Sequence, residues 1–227
     1  MKKIGVILCC LLLTCAGLTA QNLPDSGFTD KSEAKNLTVN GLKEGKWIEY
    51  PYFTRPVHLK VPNYVDHPVK KYPDRPPIND GSYSLTIYHN GIPIGTVRGY
   101  FTNGILREVS YYSNGLLNGA HKVFYSNGNL CFVGNYINGK LNGEYRNYYM
   151  NCILSSTTTY KDDTIIGMSR TFYPSGKIEC EIPFAHNKLN GVEHYYYENG
   201  KLQYQATFAN GKKETEKSYD EKGNEIK

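Results

Sequence analysis

The chain has 227 residues, a formal net charge of +5, 40% hydrophobic residues and 21% charged residues. This composition is typical neither of a disordered chain nor of a protein with several membrane spans. The mild charge also lacks the clustered basic footprint that nucleic-acid binding typically needs. Tyrosine (21) and glycine (22) are unusually frequent. Because tyrosine favours strands and glycine serves turns, the composition indicates a β-rich chain with many reversals.

The first twenty residues have the order of a secretory signal. Two lysines precede the apolar run at residues 4–13, and small or neutral residues continue to Ala20. The run is too short to span a bilayer in the mature protein. We therefore expect cleavage after Ala20 and export to the periplasm, the outer surface or the medium. The alternative is lipoprotein anchoring at Cys15, which Thr14 disfavours because a lipobox normally has glycine, alanine or serine there.

The next segments are a predicted linker at residues 21–39 and an interrupted first repeat at residues 40–94. Residues 41–50 resemble the first strand of the repeat unit found further along, and residues 82–88 resemble its second strand. Between them, the stretch 51–77 holds seven of the eleven prolines. Proline lacks the donor that a strand ladder needs, so we expect this insert to leave the sheet as an extended loop.

Residues 95–214 contain five tandem repeats of 24 residues, and residues 215–227 a partial repeat that caps the array. The clearest column of the repeat is glycine, at Gly95, Gly119, Gly143, Gly167 and Gly191. Each unit has two turn signals about twelve residues apart, such as Asn127-Gly128 and Asn138-Gly139. Since Asn-Gly favours type I′ hairpin turns, each repeat is predicted to be two antiparallel strands. The predicted fold is all-β: an elongated, single-layer antiparallel meander of about a dozen strands.

The two faces of this sheet follow from treating both turns as two-residue turns. The apolar face then carries Tyr125, Leu130, Phe132, Tyr136 and Leu141, with their equivalents in every repeat. Alternation along each strand places the next residues on the opposite face, which we call the basic face. Curling of the sheet, the proline-rich insert or dimerisation are the three ways in which the apolar face can be covered.

The basic face carries the candidate binding residues. One row is aromatic: Tyr100, Phe124, Tyr148, Phe172 and Tyr196. Two residues before each ring is a basic row: Arg98, Lys122, Arg146, Arg170 and His194. Together they suit a polyanion, an acidic protein edge or phosphate-bearing lipid head groups. The alternative is a solvated face whose cations pair with acidic neighbours such as Glu179 and Glu181.

These segments resemble a known repeat family. Residues 138–149 (NGKLNGEYRNYY) and 187–202 look like the bacterial variant of the MORN repeat, and the resemblance covers about residues 81–214 with an outlier at 40–50. It implies rows of β-hairpins that serve as scaffolds for protein or lipid contacts, without catalytic residues. The repeat class also occurs in antitoxins of toxin–antitoxin modules. At three turns the sequence departs from Asn-Gly: Asn151-Cys152, Asp162-Asp163 and His186-Asn187.

No constellation of catalytic or metal-binding residues emerges from the repeat columns. The histidines are scattered, and Asp162-Asp163 falls at a turn, where aspartate is common. Three cysteines follow the signal sequence, and the assigned register places Cys131 opposite Asn147 and Cys180 opposite Thr171. We therefore predict that Cys131, Cys152 and Cys180 are free thiols.

The sequence thus favours an exported, non-enzymatic scaffold that binds a protein in the cell envelope, without a cofactor or a metal. Two alternatives stay open: attachment to an anionic envelope surface through the basic face, and an antitoxin or immunity role implied by the resemblance alone. The expected partner is an unidentified protein or such a surface, not nucleic acid, and a homodimer is compatible with the exposed apolar face.

Overall fold

The computed structural model describes residues 28–50 and 81–226. The predicted signal sequence and the whole proline-rich insert at residues 51–77 lie outside these residues. Within them the short 3-10 helix Lys31–Glu33 is followed by eighteen strands. The strands are β1 (Leu37–Val39), β2 (Leu42–Glu49), β3 (Tyr83–His89), β4 (Ile92–Tyr100), β5 (Leu106–Ser113), β6 (Leu116–Leu117), β7 (Gly119–Phe124), β8 (Leu130–Ile137), β9 (Lys140–Leu141), β10 (Gly143–Tyr148), β11 (Leu154–Lys161), β12 (Thr164–Phe172), β13 (Ile178–Ala185), β14 (Lys188–Leu189), β15 (Gly191–Tyr196), β16 (Leu202–Ala209), β17 (Lys212–Tyr219) and β18 (Glu225–Ile226).

The strands form one open antiparallel sheet in which neighbours in sequence are neighbours in space. The pairs β6/β7, β9/β10 and β14/β15 are halves of single strands, because both halves pair with the same preceding strand. The all-β meander of 24-residue hairpins predicted from the sequence is confirmed. β2 pairs directly with β3, from Gly45 opposite Tyr88 to Glu49 opposite Ser84, so the proline-rich insert connects two adjacent strands.

The turns at one end of the sheet are two-residue hairpin turns. At Asn138-Gly139 both residues are left-handed (φ 49° and 79°), and Tyr136 lies opposite Leu141 as predicted. Asp162-Asp163 and His186-Asn187 adopt the same conformation without glycine, at φ 50° and 65° and at φ 52° and 63°. Aspartate and asparagine tolerate this region better than other side chains. The departures from Asn-Gly therefore leave the hairpin intact.

The turns at the other end are three-residue turns, so the prediction of a two-residue turn at Asn127-Gly128 is wrong. Tyr125 N donates to Asn129 O at 2.8 Å, and of the Asn-Gly pair only Gly128 is left-handed. The side chain of Asn127 instead accepts a hydrogen bond from Asn129 N at 3.0 Å. That local bond accompanies a φ at Asn127 that is not left-handed, and the loop is one residue longer than a two-residue turn.

This longer turn changes the face of the leucine column. Leu130 lies opposite Phe124, while Phe132 lies opposite Val123, so Cys131 is an extra residue in a β-bulge. Directly paired residues share a face. Leu130 therefore belongs to the basic face with Phe124, not to the apolar face as predicted. For the same reason Asn147 pairs with Phe132 and not with Cys131.

Side chains on the apolar face pack against one another. A buried cluster combines Leu141, Tyr160, Ile165, Cys180, Ile182 and Phe184. Aromatic rings link neighbouring strands, with ring centroids 5.4 Å apart for Phe132 and Tyr145 and 6.2 Å apart for Tyr145 and Tyr160. Such cross-strand pairs each stabilise a sheet by up to about 1 kcal/mol. These rings and aliphatic side chains form the core on the apolar face, while Leu85, Phe124 and Leu130 are buried on the basic face.

Tyrosine hydroxyls tie each repeat to the next. Tyr125, Tyr149 and Tyr173 each donate to a backbone carbonyl 23 residues further along, at 2.6–2.7 Å. Tyr197 makes the equivalent bond to Tyr219 O at 2.8 Å. The column begins with Phe101, which has no hydroxyl group. The repeated tyrosine therefore has a defined role in joining hairpins, beyond its strand preference.

The cysteines differ from the prediction at one position. Cys131 and Cys180 are thiols outside any disulfide, and Cys180 lies opposite Thr171 as expected, with Sγ 2.9 Å from Thr171 Oγ1. Cys152 is in a disulfide, so the prediction of three free thiols is wrong for this residue. Its position explains the difference: Cys152 occupies the left-handed position of a turn at φ 68°, outside the strand ladder, so the cross-strand geometry does not limit its partners.

Candidate functional site

The strand register aligns the predicted basic residues in one row. Arg98, Lys122, Arg146, Arg170 and His194 are linked through single intervening partners, which are Val109, Val133, Thr157 and Glu181. Directly paired residues share a face, so all five lie on the basic face. Two strand spacings separate successive members, which is about 10 Å. The row is thus a regular feature of the sheet.

The start of this row is covered by the segment before β1. Arg98 is only 6% exposed, and its Nη1 donates to Phe28 O at 3.1 Å. Phe28 and Leu85 are fully buried, and Lys46 lies 5.5 Å from the Phe28 ring centroid and pairs with Glu33. Residues 28–36 thus pack on the sheet. Arg98 holds this segment in place and does not face solvent.

Acidic neighbours balance two further members of the row. Arg170 Nε donates to Glu181 Oε1 at 2.8 Å, and Arg146 pairs with Glu144. Exposed ion pairs of this kind contribute little to stability, but they lower the net positive charge that a polyanion would meet. The row therefore contains one residue used in structural packing, Arg98, two in ion pairs, Arg146 and Arg170, and two that are partly exposed, Lys122 and His194.

The aromatic row is only partly available for stacking. Phe124 is 2% exposed, whereas Tyr100, Tyr148, Phe172 and Tyr196 are half-buried. His194 and Tyr196 lie nearly parallel, with ring centroids 6.1 Å apart. The structure thus places all nine predicted binding residues on one face but buries Arg98 and Phe124.

Sequence reasoning missed an exposed apolar strip on the basic face, along the edge formed by the two-residue turns. We call it the turn-edge strip, and its members are Val39, Leu42, Ile92, Leu116 and Ile137, which are 45–49% exposed. A methyl group placed on Gly91 would lie 3.4 Å from Leu42 Cδ2, and one on Gly115 would lie 3.0 Å from Ile92 Cγ2. Each aliphatic side chain therefore lies over the turn of the next hairpin, and the strip is continuous.

The repeat columns contain the signal for this strip. The residue after the two-residue turn is Leu42, Ile92 or Leu116 in the first hairpins, and it is Lys140, Thr164, Lys188 or Lys212 in the later ones. One edge of the sheet thus changes from apolar to basic along its length. The change is visible in sequence only when the register of the two-residue turns is known.

Buried titratable groups lie on the apolar face. Glu193 is 5% exposed, and burial raises its pKa to about 7 against a smaller opposing effect of Lys213. His121 is 7% exposed, and burial lowers its pKa to about 4. Its ring lies edge-on to Phe132, with centroids 5.3 Å apart. These groups lie on different strands within the packed face, so they act on stability and form no cluster.

The described residues hold no group of three or more His, Cys, Asp or Glu side chains placed to bind a metal ion. No helix in the same part of the chain has the length and apolar character needed to cross a membrane.

Comparison with known proteins identifies the repeats. A model of the MORN repeat variant matches residues 93–114, 117–138, 166–186 and 189–210. The comparison with curated proteins gives no match to this chain. Among solved structures, the chain is similar to a mutant of TarM from S. aureus in complex with fondaparinux, α-GlcNAc-glycerol and UDP (12% identity, TM-score 0.27, 57% of this chain) and to TarM itself (12% identity, TM-score 0.24, 58% of this chain). The matches span 20% and 21% of those structures.

Proposed function

Because the chain is a MORN repeat variant protein, we propose that it is a non-enzymatic scaffold that binds a partner protein through its turn-edge strip. One observation carries this proposal. Five aliphatic side chains that are each nearly half exposed lie side by side along one edge of the sheet. Contiguous exposed apolar surface of this kind marks interaction sites on soluble proteins.

The energetics favour a protein surface as the ligand of the strip. Removing the exposed half of a leucine or isoleucine side chain from water gains about 1 kcal/mol. The strip therefore offers several kcal/mol before the entropic cost of association is subtracted. Lys140, Lys188 and Lys212 continue the same edge, so the complementary partner has an apolar contact region next to acidic side chains.

The experiment compares the parent chain with the triple variant Leu42→Ser, Ile92→Ser, Leu116→Ser. Each protein is immobilised, and partners from an extract of the source cells are identified by mass spectrometry. The partner captured by the parent is then purified and titrated by calorimetry. We expect at least a tenfold loss of affinity in the variant, and an unchanged affinity would overturn the proposal.

A matched control uses exposed apolar residues that lie elsewhere in the sheet. Met150, Ile178 and Val192 are 55%, 37% and 38% exposed. Their replacement by serine removes a similar apolar area without touching the strip, and it should leave the affinity unchanged. If this variant loses binding equally, general surface hydrophobicity explains the capture.

The alternative function is binding to an anionic surface through the basic face, which the alignment of five basic residues in one row favours. Ionic strength separates the two functions, because polyanion contacts weaken steeply with salt while apolar contacts do not. The variant Lys122→Ser, Arg146→Ser, Arg170→Ser tests it against vesicles that contain anionic lipid. Unchanged vesicle binding in this variant would eliminate the row as the site.

Export remains part of the proposal, and it rests on residues 1–20 of the sequence. A fusion of these residues to a reporter enzyme that is active only outside the cytosol tests it. The antitoxin or immunity role rests on the repeat family alone, and a toxin encoded beside this chain would support it.

A further inference from the structure

One column of side chains runs along the edge of the two-residue turns at a constant spacing. We call it the turn-edge column, and it consists of the residue that follows each turn. Its members are Leu42, Ile92, Leu116, Lys140, Thr164, Lys188 and Lys212. Each member lies two strands from the next, so successive members are about 10 Å apart. The first three belong to the turn-edge strip.

The members of the column occupy equivalent places whether they are apolar or basic. A methyl group placed on Gly139 would lie 3.5 Å from Leu116 Cδ2, and one placed on Gly211 would lie 3.8 Å from Lys188 Cβ. Each side chain thus lies over the turn of the next hairpin, as in the first hairpins of the sheet. A ligand that fits one interval of the column can therefore continue into the next.

The spacing of the column matches the heptad of an α-helix. Seven helical residues rise about 10.5 Å and return to nearly the same face. In an extended strand, side chains on one face are about 6.7 Å apart, so a strand that crosses the hairpins cannot present one to every member. A polyproline II segment has three residues per turn and rises about 9.3 Å over them, so it also matches the column.

The backbone of the turn edge favours the helix over an extended segment. Gly91 N donates to Lys43 O at 2.8 Å, and Gly139 N donates to Leu117 O at 2.7 Å. These N–H groups already join neighbouring hairpins, so they are not available to the polar backbone of an extended ligand. A helix bonds its own backbone groups internally and can dock through side chains alone.

The width of the turn-edge strip also suits a helix. Val39 pairs with Leu42, and Ile137 pairs with Lys140, so the strip is wider than one column at these hairpins. An amphipathic helix has apolar residues three or four positions apart as well as seven apart. Its apolar stripe therefore covers the column and these flanking side chains together.

The charge of the column indicates the sequence of such a helix. After three aliphatic members the column continues with the exposed Lys140, and Lys188 and Lys212 lie further along it. We propose that the partner binds the turn-edge strip with an amphipathic α-helix that crosses the strands, apolar over three heptads and acidic in the next. This inference rests on the proposed function, because the two share one site.

Two synthetic peptides of the same length and composition test the inference. Both are cross-linked so that circular dichroism shows a helix. The heptad peptide has leucine at the first and fourth positions of three heptads and glutamate at these positions of the fourth. In the spacing control the leucine pairs recur every eleven residues, which keeps them on one face but about 16.5 Å apart.

Fluorescence anisotropy of each labelled peptide is measured with the full chain at about 1 to 100 μM. We expect the heptad peptide to bind at least tenfold more tightly than the spacing control. Its affinity should fall at least tenfold in the variant Leu42→Ser, Ile92→Ser, Leu116→Ser. The variant with serine at positions 150, 178 and 192 is the matched control and should bind like the parent.

A charge reversal tests the acidic part of the inference. Lys140→Glu should weaken binding of the heptad peptide at least threefold, and replacing the glutamates of the peptide with lysine should restore the affinity. An unchanged affinity in Lys140→Glu would overturn the acidic part.

Three results would overturn the helix. They are no binding of the heptad peptide, equal binding of the spacing control, and equal or tighter binding of a proline-rich peptide with leucine at every third position. The partner capture described above separates this failure from that of the proposed function. A partner whose binding depends on the strip, found together with a heptad peptide that does not bind, would contradict the helix and leave the scaffold function in place.

Discussion

Single hydroxyl groups link the repeats, and one link is missing. Phe101 forms the same turn as its tyrosine equivalents, because its N donates to Ile105 O at 2.8 Å just as Tyr125 N donates to Asn129 O. Because the equivalent tyrosines donate to the backbone carbonyl 23 residues further along, a hydroxyl at position 101 would reach the carbonyl of Phe124. The Phe101→Tyr variant should therefore gain about 1 kcal/mol in the free energy of unfolding, measured with urea. As a control, Tyr149→Phe should lose a similar amount, and equal stability of all three proteins would contradict the assigned role.

The buried carboxyl of Glu193 predicts how stability depends on pH. Because its pKa rises from 4.5 to about 7 on folding, the folded chain binds more protons than the unfolded chain between these values. The stability contributed by the protonated form is present below pH 4.5 and is lost as the pH rises through 7. Glu193→Gln should match the parent at low pH and exceed it by up to about 3 kcal/mol at pH 8.

Urea unfolding at several pH values checks this expectation. The lowered pKa of His121 has the opposite effect, since its charging destabilises the fold as the pH falls from 6.5 towards 4. In the Glu193→Gln variant only the His121 effect remains of these two. Its stability should therefore increase as the pH rises from 4 to 6.5 and stay level at higher pH. Glu144→Gln, at an exposed position, is the control. A parallel profile for the parent and Glu193→Gln would show that Glu193 ionises normally in the folded chain.

At the scale of elements, the two-residue turns show how side chains replace glycine. Asp163 Oδ1 accepts a hydrogen bond from Leu141 N at 2.7 Å, and Asn187 Oδ1 accepts one from Ile165 N at 2.6 Å. These side chains belong to one hairpin and satisfy the backbone of the previous hairpin. The non-glycine turns thus compensate for their left-handed backbone with a bond between repeats.

Substitutions at Asp163 should separate these two effects. Asp163→Gly relieves the left-handed backbone but loses the bond to Leu141 N, so its stability should stay within about 1 kcal/mol of the parent. Asp163→Ala loses the bond and keeps the strained φ of 65°, so it should be the less stable variant by about 1 kcal/mol. Thermal unfolding of the three proteins checks this order. An Asp163→Ala variant that is at least as stable as the Asp163→Gly variant would contradict this order.

The same elements show what the sequence could predict. The 24-residue period and the positions of the turns were visible because their chemistry is local. They hold even in the unit that the family model does not match, at Cys152 in a three-residue turn and at Asp163 in a two-residue turn. The faces were only partly predictable. Asn127-Gly128 and Asn138-Gly139 are the same dipeptide, and only the bond from Asn129 N to the Asn127 side chain selects the longer turn. That selection moves Leu130 to the other face.

The candidate site was less predictable for the same kind of reason. The basic row followed from the period alone, so its alignment was foreseeable. The burial of Arg98 was not, because it depends on residues 28–36, which belong to no repeat. The turn-edge strip depends on which turns share an edge, and that is a property of the assembled sheet.

On the scale of the whole molecule, an open sheet must protect its two edge strands. Among residues 28–50 and 81–226, the first edge is short: β1 has three residues, and the backbone of Lys46 beside it accepts from Lys35 N and Asn36 N. The last edge is longer, since in the described chain no strand pairs with the far side of β17 before Ser218. Lys212–Lys217 there are all exposed, and five of these six residues are charged. Charged residues on edge strands prevent pairing with other chains.

Removal of this charge should expose the edge to aggregation. Lys212→Val with Glu214→Val keeps the net charge and raises strand propensity, so the variant should form aggregates that bind thioflavin T at 37 °C while the parent stays soluble. The matched control is Lys161→Val with Glu144→Val, which makes the same change on β11 and β10, whose neighbours pair with them on both sides. Only the edge variant should aggregate, because the interior strands already pair with a neighbouring strand on each side. Equal aggregation of the two variants would assign the effect to surface hydrophobicity and leave the charged edge without a protective role.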